Sequence, residues 1–297
     1  MVDQKLVISV IKGILTYIPG IGVYLDKKKE KSRHSGSEAR FAYSLWFSML
    51  VLFNENNIDV NYSKIGEVGN GGSLGVAFCA LLTGAKEYCS FEIRTYIDFN
   101  EQKKLLHDVY QLLKEKKLIT RYANLNISIE NPNLPDNLIK TTPLEQERIY
   151  NELLLDLNNQ LINSKYIKLI PDWENQGSLN LTFIFSRAVM EHVNNPAHAY
   201  SAIANHLKSG GYMLHDIEFH SHGLTKTLTG HYEIQEFLWK IISGKRQFFL
   251  NRFKLNDHNT AVQAAGFYID ISIPNFKIQN EKKEMIGGVI LARKEHE

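Results

Sequence analysis

The 297-residue chain has only two cysteines, Cys79 and Cys89. Both fall in apolar runs, where a thiol reads as a small buried hydrophobe. Such a count excludes a disulfide scaffold and a cysteine-ligated zinc module. The chain lacks a charge excess: 34 basic residues face 32 acidic ones, for a net charge of +2. Neutralising a phosphate backbone needs a basic surplus on one face, so no nucleic acid is expected as partner. No apolar run reaches the roughly 18 residues of a spanning helix, and there is no cleavage-site pattern of a secretory signal. A reducing, cytoplasmic setting is therefore the expectation. Internal repeats and low-complexity tracts are missing, which sets solenoids aside. What is present is the composition of a folded domain, 44% hydrophobic and 22% charged.

The segment from Leu6 to Leu25 is apolar, broken by Gly13, Pro19, Gly20 and Gly22, and followed by Lys27, Lys28, Lys29, Lys31 and Arg33. An apolar stretch beside several cations suits an anionic membrane surface, so residues 6–33 are expected either to touch the inner face of a membrane or to pack as a helix on the main domain. Ser35-Gly36-Ser37 then opens a helix with Phe41, Leu45, Trp46, Met49 and Leu52 at helical spacing. Residues 1–60 form an N-terminal helical segment covering the site, and 61–297 the main domain, with insertions at about 115–145 and 220–256.

A strand over Lys64 to Val68, a turn Gly69-Asn70-Gly71-Gly72-Ser73, a helix from Leu74 to Leu82 and a strand from Tyr88 to Ile93 open a parallel α/β sheet with a right-handed crossover. Further strands fall at Tyr166 to Ile170, Leu181 to Phe185, Tyr212 to Ile217, Tyr268 to Ile273 and Gly288 to Ala292, the last two joined as a hairpin through Pro274 to Lys283. Helices cover Gln102 to Lys114, Pro143 to Leu161 and Pro196 to Leu207. The expected fold is Rossmann-like α/β: a seven-stranded, mostly parallel sheet with an antiparallel last strand, plus the N-terminal helical segment and a helical cap over 220–256.

A glycine turn between the first strand and helix lets backbone approach a ligand. Glu92, about 20 residues beyond, is spaced to accept ribose hydroxyls. A dinucleotide fingerprint would have a third glycine where Leu74 stands. Glu67-Val68-Gly69-Asn70-Gly71 instead resembles the first motif of class I S-adenosylmethionine-dependent methyltransferases. Phe183-Ile184-Phe185-Ser186 with Val189-Met190-Glu191-His192-Val193 is similar to the fourth-strand motif of that superfamily, and Leu207-Lys208-Ser209-Gly210-Gly211-Tyr212 to the turn before its fifth strand. The resemblance covers about Ile65 to Lys294. Ser37 to Trp46, Gly72-Ser73-Leu74-Gly75 and Leu250-Asn251-Arg252 resemble a bacterial subgroup of uncharacterised or sugar-modifying methyltransferases.

The resemblance implies S-adenosylmethionine as cofactor, with Glu67, Gly69 and Gly71 at its methionine end, Glu92 at the ribose, and Asp172 and Trp173 at the adenine. Arg40 and Tyr43 would meet its carboxylate. Asn70, Ser73, Leu74, Ile93 and Ser186 complete the expected set. Thr182 stands where the superfamily commonly opens its fourth strand with an acid. For an alcohol acceptor a histidine is a suitable base, and the candidates are His192 and His215, the latter oriented by Asp216. Glu191, His222, Trp239, Asn251 and Arg252 are expected at a small-molecule or glycan acceptor, which a lipid link would tie to the N-terminal segment. His215, Asp216, His220 and His222 can also be read as divalent-metal ligands; their spacing matches no established motif, and the leading expectation is no metal. A nicotinamide-dependent oxidoreductase or epimerase, and a catalytically silent binding subunit, are the alternative functions.

Overall fold

A computed structural model describes residues 4–19, 38–93, 97–120, 125–129, 132–246, 248–279 and 281–295. In chain order the elements are α1 (Gln4–Leu15), α2 (Ala39–Glu55), β1 (Lys64–Val68), α3 (Gly75–Thr83), β2 (Glu87–Phe91), α4 (Phe99–Lys114), α5 (Pro143–Asn158), β3 (Ile167–Leu169), β4 (Leu181–Arg187), α6 (Pro196–His206), β5 (Leu207–Glu218), α7 (Glu236–Ser243), α8 (Leu255–Ala264), β6 (Phe267–Gln279) and β7 (Lys282–Lys294). They build one seven-stranded sheet in the order β3-β2-β1-β4-β5-β7-β6. β1 pairs in parallel with β2 and β4, β4 with β5, and β7 runs antiparallel to both β5 and β6. This is the expected Rossmann-like sheet.

Both faces are covered, so the central strands read as apolar runs rather than alternations. On one face Phe183, Phe185 and Leu214 pack under α2, α3, α4 and α5; on the other, Ile184, Met213 and Ile217 pack under α6 and α8. Every residue of α2 from Ala42 to Phe53 is buried, and Trp46 donates to Thr83 Oγ1 at 2.9 Å. α2 thus shares the core of the sheet. The expected insertion at 115–145 joins it as well, through Ile119, Leu125, Ile127, Ile129 and Leu138.

The hairpin differs from the expectation. Residues 274–279 and 282–283 continue the two strands, with pairing out to Gln279↔Lys282. Pro274 reads as a break, yet β6 is an edge strand, where a residue without an N–H is tolerated. Thr182, too, has a structural role. Its hydroxyl donates to the Lys64 carbonyl at 2.8 Å and accepts from the Lys64 amide at 3.0 Å, stitching β4 to β1 at their amino ends.

The cap over 220–256 holds α7 and a short turn at Gly230–Glu233, and α1 lies on it. Leu6 and Val10 join Trp239, Ile242 and Leu250 in a small separate core. Gly13 makes this possible, because a Cβ there would strike the Ile241 and Ile242 carbonyl oxygens. The basic run at 27–33 and the Ser35-Gly36-Ser37 helix start lie outside the described residues. Gly13→Val is expected to detach α1, shown by faster proteolysis within residues 4–19. The main melting transition should move by less than about 2 °C, because the large cores are untouched; undiminished protection of α1 would show that this contact does not hold it.

Candidate functional site

β1 delivers the chain into a turn whose Gly69, Gly71 and Gly72 have φ of +73°, +63° and +84°. These angles are open to glycine at little cost. The Gly69 amide donates to Phe91 O at 3.0 Å, and its Cα lies so close to Val189 that a Cβ would clash with the valine methyls. The turn is therefore seated between the ends of β2 and β4. At Gly71 a Cβ would meet nothing within 4 Å, and the amide donates to Glu92 Oε2 at 2.7 Å. Asn70 Oδ1 accepts from the Gly72 amide and Ser73 Oγ from the Gly75 amide. Leu74 is buried at the start of α3.

Sequence reasoning misses Gln102. From α4 its side chain accepts from the Leu74 amide at 2.9 Å and donates to Gly72 O at 3.2 Å, clamping the turn. The available signal is a glutamine at a helix position that the amphipathic pattern assigns to the core. Glu67, buried beneath the turn, accepts from the Tyr88 hydroxyl at 2.5 Å. Burial raises its pKa to about 8; the Tyr88 hydrogen bond opposes this and the Glu92 charge adds to it.

Glu92 and Ile93 lie just past β2 rather than in it, and Ile93 is exposed. Trp173 is buried, stacked on Phe91 with centroids 5.2 Å apart, while Asp172 remains exposed beside it. Arg40 donates to Thr120 Oγ1 at 3.2 Å. Tyr43, expected at a cofactor carboxylate, is in the core against Phe47, with its hydroxyl donating to Lys117 O at 2.9 Å.

At the ends of β4 and β5 the structure separates His215 from Asp216. Adjacent strand residues point to opposite faces. His215 is fully buried, hydrogen-bonded through Nδ1 to Ser186 Oγ at 2.7 Å, with its ring against Tyr200. Burial, aided by His258, lowers its pKa to about 3. The expected base is thus a buried neutral imidazole that Asp216 does not orient, and Ser186 is engaged with it. Asp216 instead accepts from Asn126 Nδ2 on the other face, with Arg187 Nε 4.0 Å away.

His192 stays at the mouth, in a short turn at Met190–His192, with its ring 5.3 Å from His222. Arg187 donates to Glu218 Oε1 at 2.7 Å, and Glu218 Oε2 lies 2.8 Å from His220 Nε2 and 3.5 Å from His222 Nε2. Asn251 does not face an open cleft: its amide group donates to Met190 O and Val193 O and so fixes that turn. Arg252 donates to Ile234 O and pairs with Glu236, its guanidinium over Trp239. Trp239 is itself buried in the cap core. These three expected acceptor contacts build the cap and the loop it holds.

A glycine turn at the carboxyl edge of a Rossmann-like sheet, with an acid on its amide, lies where open α/β sheets commonly take their ligands. No family model and no curated protein matches the chain. Among solved structures it is similar in fold to S-adenosylmethionine-dependent methyltransferases. One from Methanosarcina mazei is 14% identical, with 82% of this chain and 98% of that one covered and a TM-score of 0.45. One from Mesorhizobium loti is 10% identical, with 83% and 98% covered and a TM-score of 0.44. Magnesium protoporphyrin IX methyltransferase from Synechocystis, with S-adenosylhomocysteine bound, is 10% identical, with 86% and 85% covered and a TM-score of 0.44.

The buried groups give opposite pH slopes. Glu67 holds its proton to about pH 8 in the fold against an ordinary 4.5, so its contribution is full below 4.5 and lost as pH rises through 8. His258, bonded to the Tyr200 hydroxyl at 2.9 Å, is lowered by burial to about 4 from 6.5. Its contribution is full above 6.5 and lost as pH falls through 4. Melting temperatures across this range should show Glu67→Gln flattening the alkaline decline and His258→Gln the acid one. Unchanged slopes would remove these groups as the cause.

Proposed function

We propose that the chain is an S-adenosylmethionine-dependent methyltransferase that methylates a hydroxyl of a small-molecule or glycan acceptor. The observation that carries this is the Glu92 carboxylate on the Gly71 amide, at the open side of a glycine turn between β1 and α3. The residues fit the cofactor. Glu92 stands where a ribose needs a paired acceptor, Glu67 is the acid before the turn, and Leu74 replaces the glycine that a pyrophosphate-binding helix wants.

When bound, this cofactor supplies a methyl on a sulfonium, open to in-line displacement by a nucleophile. The chain itself must provide alignment at about 3 to 3.5 Å and removal of the acceptor's proton. Gln102 holds the turn in shape. Val189, packed on Gly69, joins the turn to the loop that carries Glu191 and His192. Of the two histidines considered as base, His192 is the one the reading keeps: it is only partly buried, whereas His215 is sealed in the sheet.

A lipid-linked acceptor is favoured by α1. Val7, Ile8, Ile11, Ile14, Tyr17 and Ile18 are all exposed, with Lys5 and Lys12 on the same segment. Such a face suits the interface of an anionic bilayer. No helix among the described residues is long and apolar enough to cross a membrane. The expected arrangement is peripheral.

Calorimetric titration with S-adenosylmethionine, S-adenosylhomocysteine and NAD tests the reading. Micromolar binding of the first two, about −8 kcal/mol, is expected without NAD binding. Glu92→Ala should weaken it by about 1.5 to 3 kcal/mol. NAD binding alone would favour the oxidoreductase, and cofactor binding without turnover on any acceptor would favour the silent subunit. Separately, replacing Val7, Ile11 and Ile14 by serine should abolish flotation with anionic vesicles and leave cofactor affinity intact. Equal flotation of both proteins would sink the membrane contact.

A further inference from the structure

The turn after β4 and the loop after β5 bring together side chains far apart in sequence. One ligand atom from each of Glu191, His192 and His222 lies within 4.8 Å of the others, and the same holds for Glu218, His220 and His222. The second group is self-sufficient, because Glu218 is shared between Arg187 and the two imidazoles. The first is not. Glu191 is 3% exposed, and neither of its carboxylate oxygens meets a hydrogen-bond donor among the described residues. Such a burial disfavours the charged carboxylate, a cost that a bound cation would offset.

We propose that Glu191, His192 and His222 hold a divalent first-row transition metal ion. Two imidazoles and one carboxylate suit such ions and leave coordination positions open. Metal–ligand bonds of about 2.0 to 2.2 Å limit two donors on one ion to about 4.4 Å apart, so closure by a few tenths of an ångström completes the site. Its geometry is set in advance. The Asn251 side chain donates to the carbonyls on either side of the Glu191–His192 pair, and its backbone amide donates to Glu191 O at 2.7 Å. Glu218, anchored by Arg187, lies beside the His222 ring as carboxylates lie beside metal-binding imidazoles. The burial runs from Glu191, inside, to the exposed His222, so the site reaches the surface at His222.

The use of the ion rests on the methyltransferase reading. Val189 ties the loop to the glycine turn, so an acceptor oxygen bound to the ion would sit at the cofactor's edge of the crevice. With His192 engaged as a ligand, the ion would hold the acceptor oxygen and lower the pKa of its hydroxyl, so that the proton leaves to solvent; the oxygen then takes the methyl as the sulfonium's carbon–sulfur bond breaks and S-adenosylhomocysteine departs.

The test uses the full-length protein after chelator treatment, titrated calorimetrically with Zn2+ and with Mn2+. Its Co2+ form is read by visible absorption. One equivalent is expected to bind, and the Co2+ spectrum should show ligand-field bands of an imidazole–carboxylate site without a thiolate band, since Cys79 and Cys89 are both buried in the cores. Glu191→Gln and His222→Gln should each weaken binding by at least about tenfold. His198→Gln, on the far exposed pair with Glu174, should leave it unchanged. Circular dichroism checks each variant; if Glu191→Gln unfolds, His222→Gln and the wild-type Co2+ spectrum decide. No stoichiometric binding by the wild type, or full affinity in both ligand variants, overturns the proposal. Cofactor titration of the same samples separates the two readings: metal without S-adenosylmethionine keeps the site and removes the reaction, and the reverse removes the site alone.

Discussion

The parallel pairing of β1 between β2 and β4 is the constraint on which the rest depends. It brings the carboxyl ends of these strands and of β5 to one edge of the sheet. Helices cover both faces, so that edge is where the central strands can release polar chain. Glu67, Glu92, Glu191 and Glu218 come from the ends of four different strands, or just past them, and so lie along that edge. The Gly69 amide on Phe91 O and the close approach of Val189 then lock the β1, β2 and β4 ends into one surface. A chemistry that needs cofactor and acceptor side by side is served by topology before any single residue is chosen.

What is legible in the sequence is local. The glycine turn, Glu67 and Glu92 are encoded within about 25 consecutive residues, and the spacing that identifies them is the spacing that folds them. The seven-stranded, mostly parallel sheet and its antiparallel last strand follow from alternation of elements, whereas the strand order does not. Other features are set by partners distant in sequence. Gln102 clamps the turn from α4, Asn126 meets Asp216 across 90 residues, and Thr182 serves the amino end of β1. None of these contacts has a local pattern. The pairing of His215 with Asp216 is the opposite case, since the period of two along a strand already forbids it. Adjacency in sequence is there the reverse of adjacency in space.

The cap shows why residue type misleads about exposure. Trp239, Asn251 and Arg252 have the composition of a sugar-binding surface. Here Trp239 is buried in the cap core beside α1, Asn251 satisfies carbonyls around the short turn after β4, and Arg252 satisfies a carbonyl within the cap. A loop with few backbone partners must take them from side chains, and amide and guanidinium groups supply several donors each. Of the three, Asn251 is the one that fixes the position of Glu191 and His192.

Burying ionisable groups is costly, and apolar replacements would often serve stability better. Such groups persist in the fold when something present in it answers each of them. Glu67 has the Tyr88 hydroxyl, Asp216 has Asn126, His215 has Ser186 and His258 has Tyr200. Each pair is an internal solution, and each explains its own retention. Glu191 differs in kind: it is buried like these, lies just past the carboxyl end of β4, and has no donor on either oxygen among the described residues. A group left unanswered among the described residues, at the carboxyl edge of the sheet, is the one that the proposed ion would answer. That asymmetry, more than the number of histidines nearby, separates a ligand site from a cluster of satisfied polar residues.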